Sequence, residues 1–319
     1  MNRIMHSILE AIKTFAAMRW RILCGCPLCC FIVLAGPLEV KAQVDSGFVC
    51  VLEQVRYQRA KGPVVYIDEA HHNYHTASGR FRPFAEVWRA NGFKVRSSPQ
   101  TFTKGFLDSV KILVIANALH VSNVSQWELP IPSAFSTAEL EAVHEWVRNG
   151  GRLFLIADHM PFGGAVIELA ARFKVDWFNC FAMDSRHRNV EVFSRANGSL
   201  IEGPANDNLV GNIQQVVTFT GSAFTLPDGR TPVIHLEGYR LLFPRAAWVF
   251  DEDMKHEEAT RKHGQLAYMR YGKGKLVLSG EAAMWTSQLA GRQYIGLRHP
   301  DARDHIRLLT NVMAWLDEE

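Results

Sequence analysis

A short stretch near residue 70 is dense in side chains that can titrate or bind a metal. The apolar run Val64–Ile67 leads directly into a segment that contains Asp68, Glu69, His71, His72, Asn73 and His75. Carboxylates and imidazoles serve acid–base catalysis or ligate divalent cations. An apolar run that ends in such groups is typical of a parallel strand that reaches the carboxyl edge of an open α/β sheet, where ligands bind. The stretch therefore predicts a functional site.

Three further predicted strands end in polar residues of the same kinds. Their apolar parts are 110–116, 152–157 and 276–279, and the polar residues that follow are Asn117, Asp158, His159 and Glu281. If these strands are parallel to the first, their carboxyl ends meet at one edge of the sheet. We expect a shared site there, whose candidate catalytic residues are Asp68, His72, Asp158, His159 and Glu281.

A metal-assisted hydrolysis is one chemistry that these residues could perform. In that mechanism Asp68, His72 and Asp158 hold a divalent cation or polarise a water molecule. Either His159 or Glu281 then acts as the general base. Imidazole and carboxylate suit Zn or Mn, and the candidate metal ligands are His71, His72, His75, Asp68 and Asp158.

The same residues allow two other interpretations. One is a metal-free acid–base or ligand-binding site. The other is a pseudo-enzyme whose sheet edge binds only a ligand or a partner. These residues could also have purely structural roles: Asp68 and Asp158 could cap the helices that follow their strands, Glu281 could accept backbone N–H groups, and one or more of the histidines could be surface loop residues.

The rest of the sequence predicts the elements that position these residues. From Gly62 onward, short β-rich apolar runs alternate with amphipathic helical stretches, which indicates parallel strands joined by crossover helices. The clearest helix begins with a capping box, Ser136 to Glu139. Residues 266–271 and 276–279 predict a hairpin, and an antiparallel or irregular β-rich insertion is expected over about 175–260. These patterns predict an α/β fold with three layers and a mostly parallel, flavodoxin-like sheet.

The first 42 residues differ in kind from the rest. Arg19 and Arg21 precede an apolar run over 22–36, and Val40-Lys41-Ala42 supplies a small-residue cleavage site. We expect a signal peptide over 1–42, an N-terminal extension over 43–61 and one domain over 62–319. An uncleaved anchor is the alternative, although the apolar run is shorter than the roughly 20 residues that span a bilayer. The protein is thus expected in the periplasm or outside the cell.

Composition narrows the expected partners. The chain has 319 residues, is 48% hydrophobic and carries a formal net charge of +3. A balance so close to neutral gives no reason to expect nucleic acid, and membrane contact is expected only through an uncleaved anchor. A small-molecule or carbohydrate ligand is the expected partner, and no oligomeric state is predicted. Outside the predicted signal peptide only Cys50 and Cys180 remain, either paired or as two partly buried thiols.

Several motifs together resemble the class I glutamine amidotransferase-like superfamily. They are RLFLIADH at 152–159, TFTGSAF at 218–224, YGKGKLVLSGEAAMW at 271–285, and a final helix with Asn311 and Trp315. The sequence is most similar to uncharacterised bacterial members and to the trehalose-utilisation-like proteins, over most of residues 62–319. The resemblance implies the superfamily's α/β fold.

The resemblance also argues against amidotransferase chemistry. Active members present a cysteine nucleophile after the strand at this point, whereas this chain has Ala157, Asp158 and His159 there. Without a thiolate the usual glutaminase step is absent. We therefore expect an exported protein with a hydrolase-like site for a small polar or carbohydrate-like substrate. The alternative is a non-catalytic ligand-binding or scaffold domain.

Overall fold

A computed structural model of the chain describes residues 42–184, 190–203 and 209–318. The predicted signal peptide, apart from Ala42, lies outside the described residues. The strands, numbered along the chain, are β1 (Gln43–Val44), β2 (Val64–Asp68), β3 (Lys94–Ser98), β4 (Ile112–Ala116), β5 (Arg152–Ile156), β6 (Asp176–Asp184), β7 (Glu191–Ser194), β8 (Gln215–Thr218), β9 (Gly221–Thr225), β10 (Ile234–His235), β11 (Tyr239–Phe243), β12 (Lys255–Glu258), β13 (His263–Tyr271), β14 (Gly274–Ser279), β15 (Ser287–Ala290) and β16 (Gln293–Gly296).

One half of the main sheet is parallel, in the order β3–β2–β4–β5–β14. β4 is buried along its whole length, as an apolar strand covered on both faces should be. Its alternate residues face two different hydrophobic cores: Ile112 and Val114 belong to one, and Leu113 and Ile115 belong to the other. The parallel half of the sheet therefore has a core on each face.

The other half of the same 11-stranded sheet is antiparallel, so the expectation of a mostly parallel sheet is wrong. Beyond β14 the order is β13–β9–β6–β11–β12, and β10 pairs with β13. Residues expected to form an irregular insertion supply five of these strands, β6, β9, β10, β11 and β12. The predicted hairpin is confirmed, since Tyr271 pairs with Gly274 across the turn between β13 and β14. So short a connection permits only antiparallel pairing, because a parallel pair needs a crossover of roughly a dozen residues.

Helices cover the two faces of the parallel strands. The α-helices are Arg82–Ala90, Lys104–Leu107, Thr137–Arg148, Phe162–Ala165, Ile167–Ala171 and His305–Asp317, and the 3₁₀ turns are Val121–Asn123 and Ala283–Trp285. Trp88 and Leu309, from the first and last helices, pack in one core. Leu140 and Leu169 pack in the other. The predicted capping box at Ser136 is confirmed, with the side chain and backbone of Ser136 and Glu139 bonded reciprocally.

Two small sheets complete the fold, one formed by β1, β15 and β16 and the other by β7 and β8. The described residues from 42 onward form one compact unit. Within those residues, no helix combines the length and apolar character needed to cross a membrane. For the site, the important result is that β2, β4, β5 and β14 are parallel neighbours. Their carboxyl ends lie at one edge.

Candidate functional site

Backbone hydrogen bonds join the loops that follow β2, β4 and β5. The Tyr74 N–H donates to the carbonyl oxygen of Asn117 at 2.9 Å, and the Leu119 N–H donates to that of His71 at 2.8 Å. The Asp158 N–H donates to Oδ1 of Asn117 at 2.9 Å. Asn117 adopts a left-handed backbone, with φ +48°, a conformation that asparagine tolerates better than most residues. The predicted meeting of these strand ends is thus present.

Asp68 and His71 are joined in a buried ionic network that also includes Glu139. Nδ1 of His71 lies 2.9 Å from Oδ2 of Asp68, and Nε2 lies 2.9 Å from Oε1 of Glu139. Nδ2 of Asn73 also donates to Oδ2 of Asp68 at 3.0 Å. Both imidazole nitrogens are therefore occupied by carboxylates.

The network favours a protonated His71. Burial alone would lower the pKa of His71, but its hydrogen bonds and proximity to Asp68 and Glu139 raise the pKa above its ordinary value. Burial would likewise raise the pKa of Glu139, yet hydrogen bonds from Ser136, His71 and the Phe102 N–H lower it to about 2. Asp68 and His71 thus hold the loop after β2 to the start of the Thr137–Arg148 helix.

A cavity of about 260 Å³ opens at the carboxyl ends of β2, β4 and β5. It contains three of the predicted site residues, together with Asn117 and seven further residues. The lining consists of Tyr74, His75, Arg80, Asn117, Trp127, Asp158, His159, Phe162, Trp248, Ala283 and Gln288. The predicted residues His75, Asp158 and His159 are therefore brought together. His72, by contrast, is exposed and is not among the lining residues.

Aromatic rings form much of the cavity wall. Trp127 lies 5.3 Å from Tyr74 and 5.1 Å from Phe162, measured between ring centroids and in edge-to-face geometry. Trp248 approaches the His159 ring edge-on at 4.8 Å. Apolar walls with a few convergent polar groups are the usual construction of a small-molecule site.

His159 is held by hydrogen bonding and stacking in one tautomer. Its Nδ1 lies 2.7 Å from the carbonyl oxygen of Met160, which can only accept, so Nδ1 carries a proton. In the neutral ring Nε2 is then an acceptor. The ring stacks on Phe181 at 4.4 Å with an interplanar angle of 11°. Within the described part of the chain Nε2 has no hydrogen-bond partner, so it is available to accept a hydrogen bond from a bound molecule.

Asp158 and Glu281 form a buried carboxyl pair. Burial raises the pKa of Asp158. Burial and the nearby Asp158 carboxyl raise the pKa of Glu281 well above its ordinary value. Glu281 does not line the cavity, since its oxygens accept the N–H groups of Ala283 at 2.9 Å and Met284 at 2.6 Å. The pair keeps a proton to a higher pH than an exposed carboxyl group does.

Two lining residues carry buried polar atoms that have no partner among the described residues, namely Nδ1 of His75 and Nδ2 of Asn117. Burial, Arg80 and His159 lower the pKa of His75 to about 3, so its ring is neutral at ordinary pH. Unpaired buried polar atoms are rare because each costs roughly 1–3 kcal/mol. Both atoms therefore mark polar groups near the cavity that the described residues leave unsatisfied.

The predicted metal ligands do not converge. Asp68 and His71 bind each other, His72 is exposed, and only His75 and Asp158 reach the cavity. No group of three or more His, Cys, Asp or Glu side chains in the described residues is placed to hold a metal ion. The predicted Zn or Mn site therefore has no shared ligand set in this arrangement.

The two described cysteines are free and buried. Burial, with a smaller effect of Glu86, raises the pKa of Cys50 to about 11. Burial raises the pKa of Cys180 to about 12. Both thiols are therefore protonated at ordinary pH and poor nucleophiles.

Several lining residues were not predicted from the sequence: Tyr74, Arg80, Trp127, Phe162, Trp248 and Gln288. The sequence does contain features that could have pointed to some of these residues. Tyr74 lies inside the histidine-rich stretch, and Trp127 and Trp248 are large aromatic residues in segments without a strand or helix pattern. Arg80 and Gln288 gave no comparable signal, because a single arginine or glutamine after a turn is ordinary.

No protein family and no curated protein matches the chain in sequence. Among solved structures, the N-terminal domain named mmIFT52 is similar, with 15% identity, a TM-score of 0.53, and coverage of 80% of this chain and 98% of that one. A thua-like protein from Bacteroides uniformis has 11% identity and a TM-score of 0.40, with 82% and 95% covered. One from Parabacteroides merdae has 11% identity and a TM-score of 0.40, with 80% and 89% covered. At such identities the likeness concerns the α/β fold alone.

Proposed function

We propose that the cavity is a hydrolase-like site for a small polar or carbohydrate-like substrate, with Asp158 and His159 as its acid–base pair. One observation carries the proposal: both side chains line the same aromatic-walled cavity. A carboxyl group with a raised pKa beside a neutral imidazole acceptor is the combination that acid–base hydrolysis needs.

In the proposed mechanism, Nε2 of His159 accepts a proton from a water molecule as that water attacks the scissile centre. Asp158 donates its proton to the oxygen of the leaving group. His159 thus gains one proton from water while Asp158 loses one to the product. Glu281 is a positioning residue, because its buried carboxyl interacts with that of Asp158 and accepts the N–H groups of Ala283 and Met284. His75 and Asn117 bind polar groups of the substrate.

The aromatic rings and the cavity size support a small, sugar-like substrate. The tryptophan and tyrosine rings offer broad apolar faces that pack against the C–H groups of a sugar ring, while their edges leave room for hydroxyl groups. A volume of about 260 Å³ lies just below the range of roughly 300–1,000 Å³ for drug-sized ligands. A single ring therefore suits it better than a polymer.

The test is a hydrolase screen of the purified protein with sugar esters, amides, glycosides and phosphoesters. Turnover that falls in Asp158→Asn and His159→Gln, but not in the exposed control His256→Gln, supports the proposal. Turnover that all three variants retain equally would place the activity elsewhere.

A non-catalytic ligand-binding role is the second candidate. The unpaired atoms of His75 and Asn117 favour it, because they bind a ligand without any chemical step. Ligand binding that persists in Asp158→Asn, with no turnover by the wild type on any substrate class, would favour this role.

Three further proposals rest on the sequence motifs. The chain is a divergent member of the class I glutamine amidotransferase-like superfamily that lacks the cysteine nucleophile. Its helices and sheet form three layers of flavodoxin-like type. The mature protein begins after Ala42 and acts in the periplasm or outside the cell, on a small-molecule or carbohydrate partner and not on nucleic acid.

A further inference from the structure

Arg80 places a positive charge in the wall of the cavity and has no ion-pair partner among the described residues. The side chain is half-buried and lines the cavity. Among the residues that the structure describes, Asp and Glu side chains make no ion pair with Arg80. A partly desolvated cation gains from a counter-charge, and a bound ligand can supply one.

The guanidinium group is held in place by neutral neighbours. One terminal nitrogen of Arg80 donates to Oε1 of Gln288 at 2.7 Å. The guanidinium carbon lies 4.6 Å from the ring centroid of Tyr74, close enough for a cation–π interaction. Gln288 is fixed in turn, because its Nε2 donates to Oγ1 of Thr286 at 2.9 Å. These contacts orient Arg80 but supply no negative charge. Some of its five N–H donors are left for a ligand.

A second donor lies in the same cavity. Oδ1 of Asn117 accepts the Asp158 N–H, so the other end of the amide is the NH₂ group, whose nitrogen is buried and unpaired among the described residues. Arg80 and Asn117 thus carry N–H donors on two different loops of the cavity lining.

Asp158 is the acidic side chain of the cavity lining, and a fixed negative charge on it would repel an anionic ligand. Burial raises the pKa of Asp158, and Glu281 lies close enough for the two carboxyls to interact. A pair of neighbouring buried carboxyls does not ionise fully at the pH where exposed carboxyls do. The negative charge of the lining is therefore reduced while Arg80 keeps its positive charge.

We propose that the ligand of this cavity is a sugar acid or a similarly small polyol carboxylate, and that Arg80 selects it by binding its carboxylate. A planar carboxylate matches the fork of N–H groups on a guanidinium, which a neutral hydroxyl does not. The inference rests on the proposed function and specifies that the substrate is an anion. Arg80 is a specificity residue in this assignment, and Asn117 supplies a second hydrogen bond.

The experiment is calorimetric titration of the full protein with matched probes. The probes are D-glucuronate with D-glucose, D-galacturonate with D-galactose, and D-glucose 6-phosphate. The variants are Arg80→Gln, Arg80→Lys and the control Arg89→Gln, since Arg89 is exposed and lines a different groove.

We expect one of the two acids to bind the wild type at least about tenfold more tightly than its neutral partner, the usual scale for a charged hydrogen bond. Arg80→Gln abolishes this difference. Arg80→Lys keeps part of the preference, because it retains a point charge without the fork. Arg89→Gln behaves as the wild type does.

Each other outcome is decisive. Equal binding of acid and neutral sugar, or a preference that survives in a folded Arg80→Gln, overturns the anionic assignment but leaves the proposed function intact. Tighter binding of glucose 6-phosphate than of either acid overturns the choice of a carboxylate. If no probe binds the wild type, both this inference and the sugar-like substrate class fail. Should Arg80→Gln not fold, Arg80→Lys decides instead: a reduced preference for the acid supports the assignment, and a preference equal to that of the wild type overturns it.

Discussion

The side-chain oxygen of Asn117 accepts the backbone N–H of Asp158 at 2.9 Å, across the ends of two parallel strands. The hydrogen bond sets the direction in which the chain leaves β5 and therefore where Asp158 and His159 lie. It also fixes the orientation of the Asn117 amide, whose NH₂ group is buried and unpaired among the described residues. One side chain thus positions the proposed acid–base pair and contributes a donor beside it.

Two replacements of Asn117 separate the loss of its hydrogen bond to the Asp158 N–H from the strain of its left-handed backbone. Asn117→Ala leaves the buried Asp158 N–H unpaired and places alanine in a left-handed conformation, so it should destabilise the fold by about 2–4 kcal/mol. Asn117→Gly loses the same hydrogen bond without the steric penalty and should recover roughly 1 kcal/mol. Urea unfolding of both variants measures the difference, and equal stabilities would mean that backbone strain at this position is negligible.

The network around His71 makes part of the stability depend on pH. Since its folded-state pKa is raised, the stabilisation is fully present below the ordinary value of 6.5 and is lost as pH rises through the raised pKa. His71→Gln should therefore cost about 3 kcal/mol or more at pH 6, and less at pH 9. Urea unfolding at both pH values gives the two differences.

The comparison must be between wild type and variant at each pH. His75 and His305 have folded-state pKa values lowered by burial to about 3 and about 4, so they destabilise the fold as pH falls below 6.5. Both are present in each protein, and their effect cancels in the difference. The exposed control His256→Gln should show a small effect at both pH values. A cost of His71→Gln that stays constant from pH 6 to pH 9 would contradict the raised pKa.

Asp158→Asn should remove activity without removing stability. Loss of the general acid is expected to lower kcat/KM by about 100-fold or more. A raised carboxyl pKa makes the folded state bind protons more tightly, so the wild type loses stability as pH rises above the ordinary value of 3.8. The variant lacks this loss and should equal or exceed the wild type in unfolding free energy at pH 8.

Unfolding at pH 5 and pH 8, with kinetics on the substrate that the screen identifies, tests the expectation for Asp158→Asn. The exposed Asp251→Asn is a suitable control and should change neither quantity. A variant that is much less stable than the wild type at pH 8 would show that the Asp158 carboxylate is structural.

Trp248→Ala should weaken ligand binding more than it weakens the fold. The side chain is 53% exposed, so its removal costs little packing, but it forms one wall of the cavity. Loss of an aromatic contact is worth about 0.5–1.5 kcal/mol, or roughly two- to tenfold in affinity. Calorimetry with D-glucuronate measures it, and Val249→Ala, at a neighbouring exposed residue outside the cavity, should bind normally. Equal affinities of the two variants would exclude Trp248 as a binding wall.

Export can be tested directly on the protein isolated from its source cells. Cleavage after Ala42 leaves Gln43 as the first residue, which amino-terminal sequencing or intact mass detects. Recovery of the full chain in the membrane fraction would support the uncleaved anchor instead, and recovery of the full chain in the cytosol would contradict both.

The strands that carry the site could be predicted from the sequence because their signals are local. The continuous apolar run of β4 and the capping box at Ser136 depend on neighbouring residues only. The antiparallel half of the sheet could not be predicted in the same way. Short β-rich runs do not reveal which strand they pair with, and pairing is decided by the turns and by the core that both strands bury.

The predicted strand ends do meet at one edge of the sheet, but the cavity there is lined by only three of the predicted site residues. Sequence proximity grouped Asp68, His71 and His75, yet the structure separates His75 from the other two. The reason is Glu139, which is far away in the chain but close to His71 in space. The Arg80 contact with Gln288 could not be predicted either, because 208 positions separate the two residues in the sequence.

Glu139 connects three separate parts of the chain through one carboxyl group. One oxygen accepts the N–H of Phe102 at 3.1 Å and contacts His71, while the other accepts the Ser136 N–H at 3.0 Å. A helix start, a connecting loop and the polar loop after β2 therefore share a single anchor point. A displacement of that helix would therefore also displace the loop after β2, which carries Tyr74 and His75 of the cavity lining.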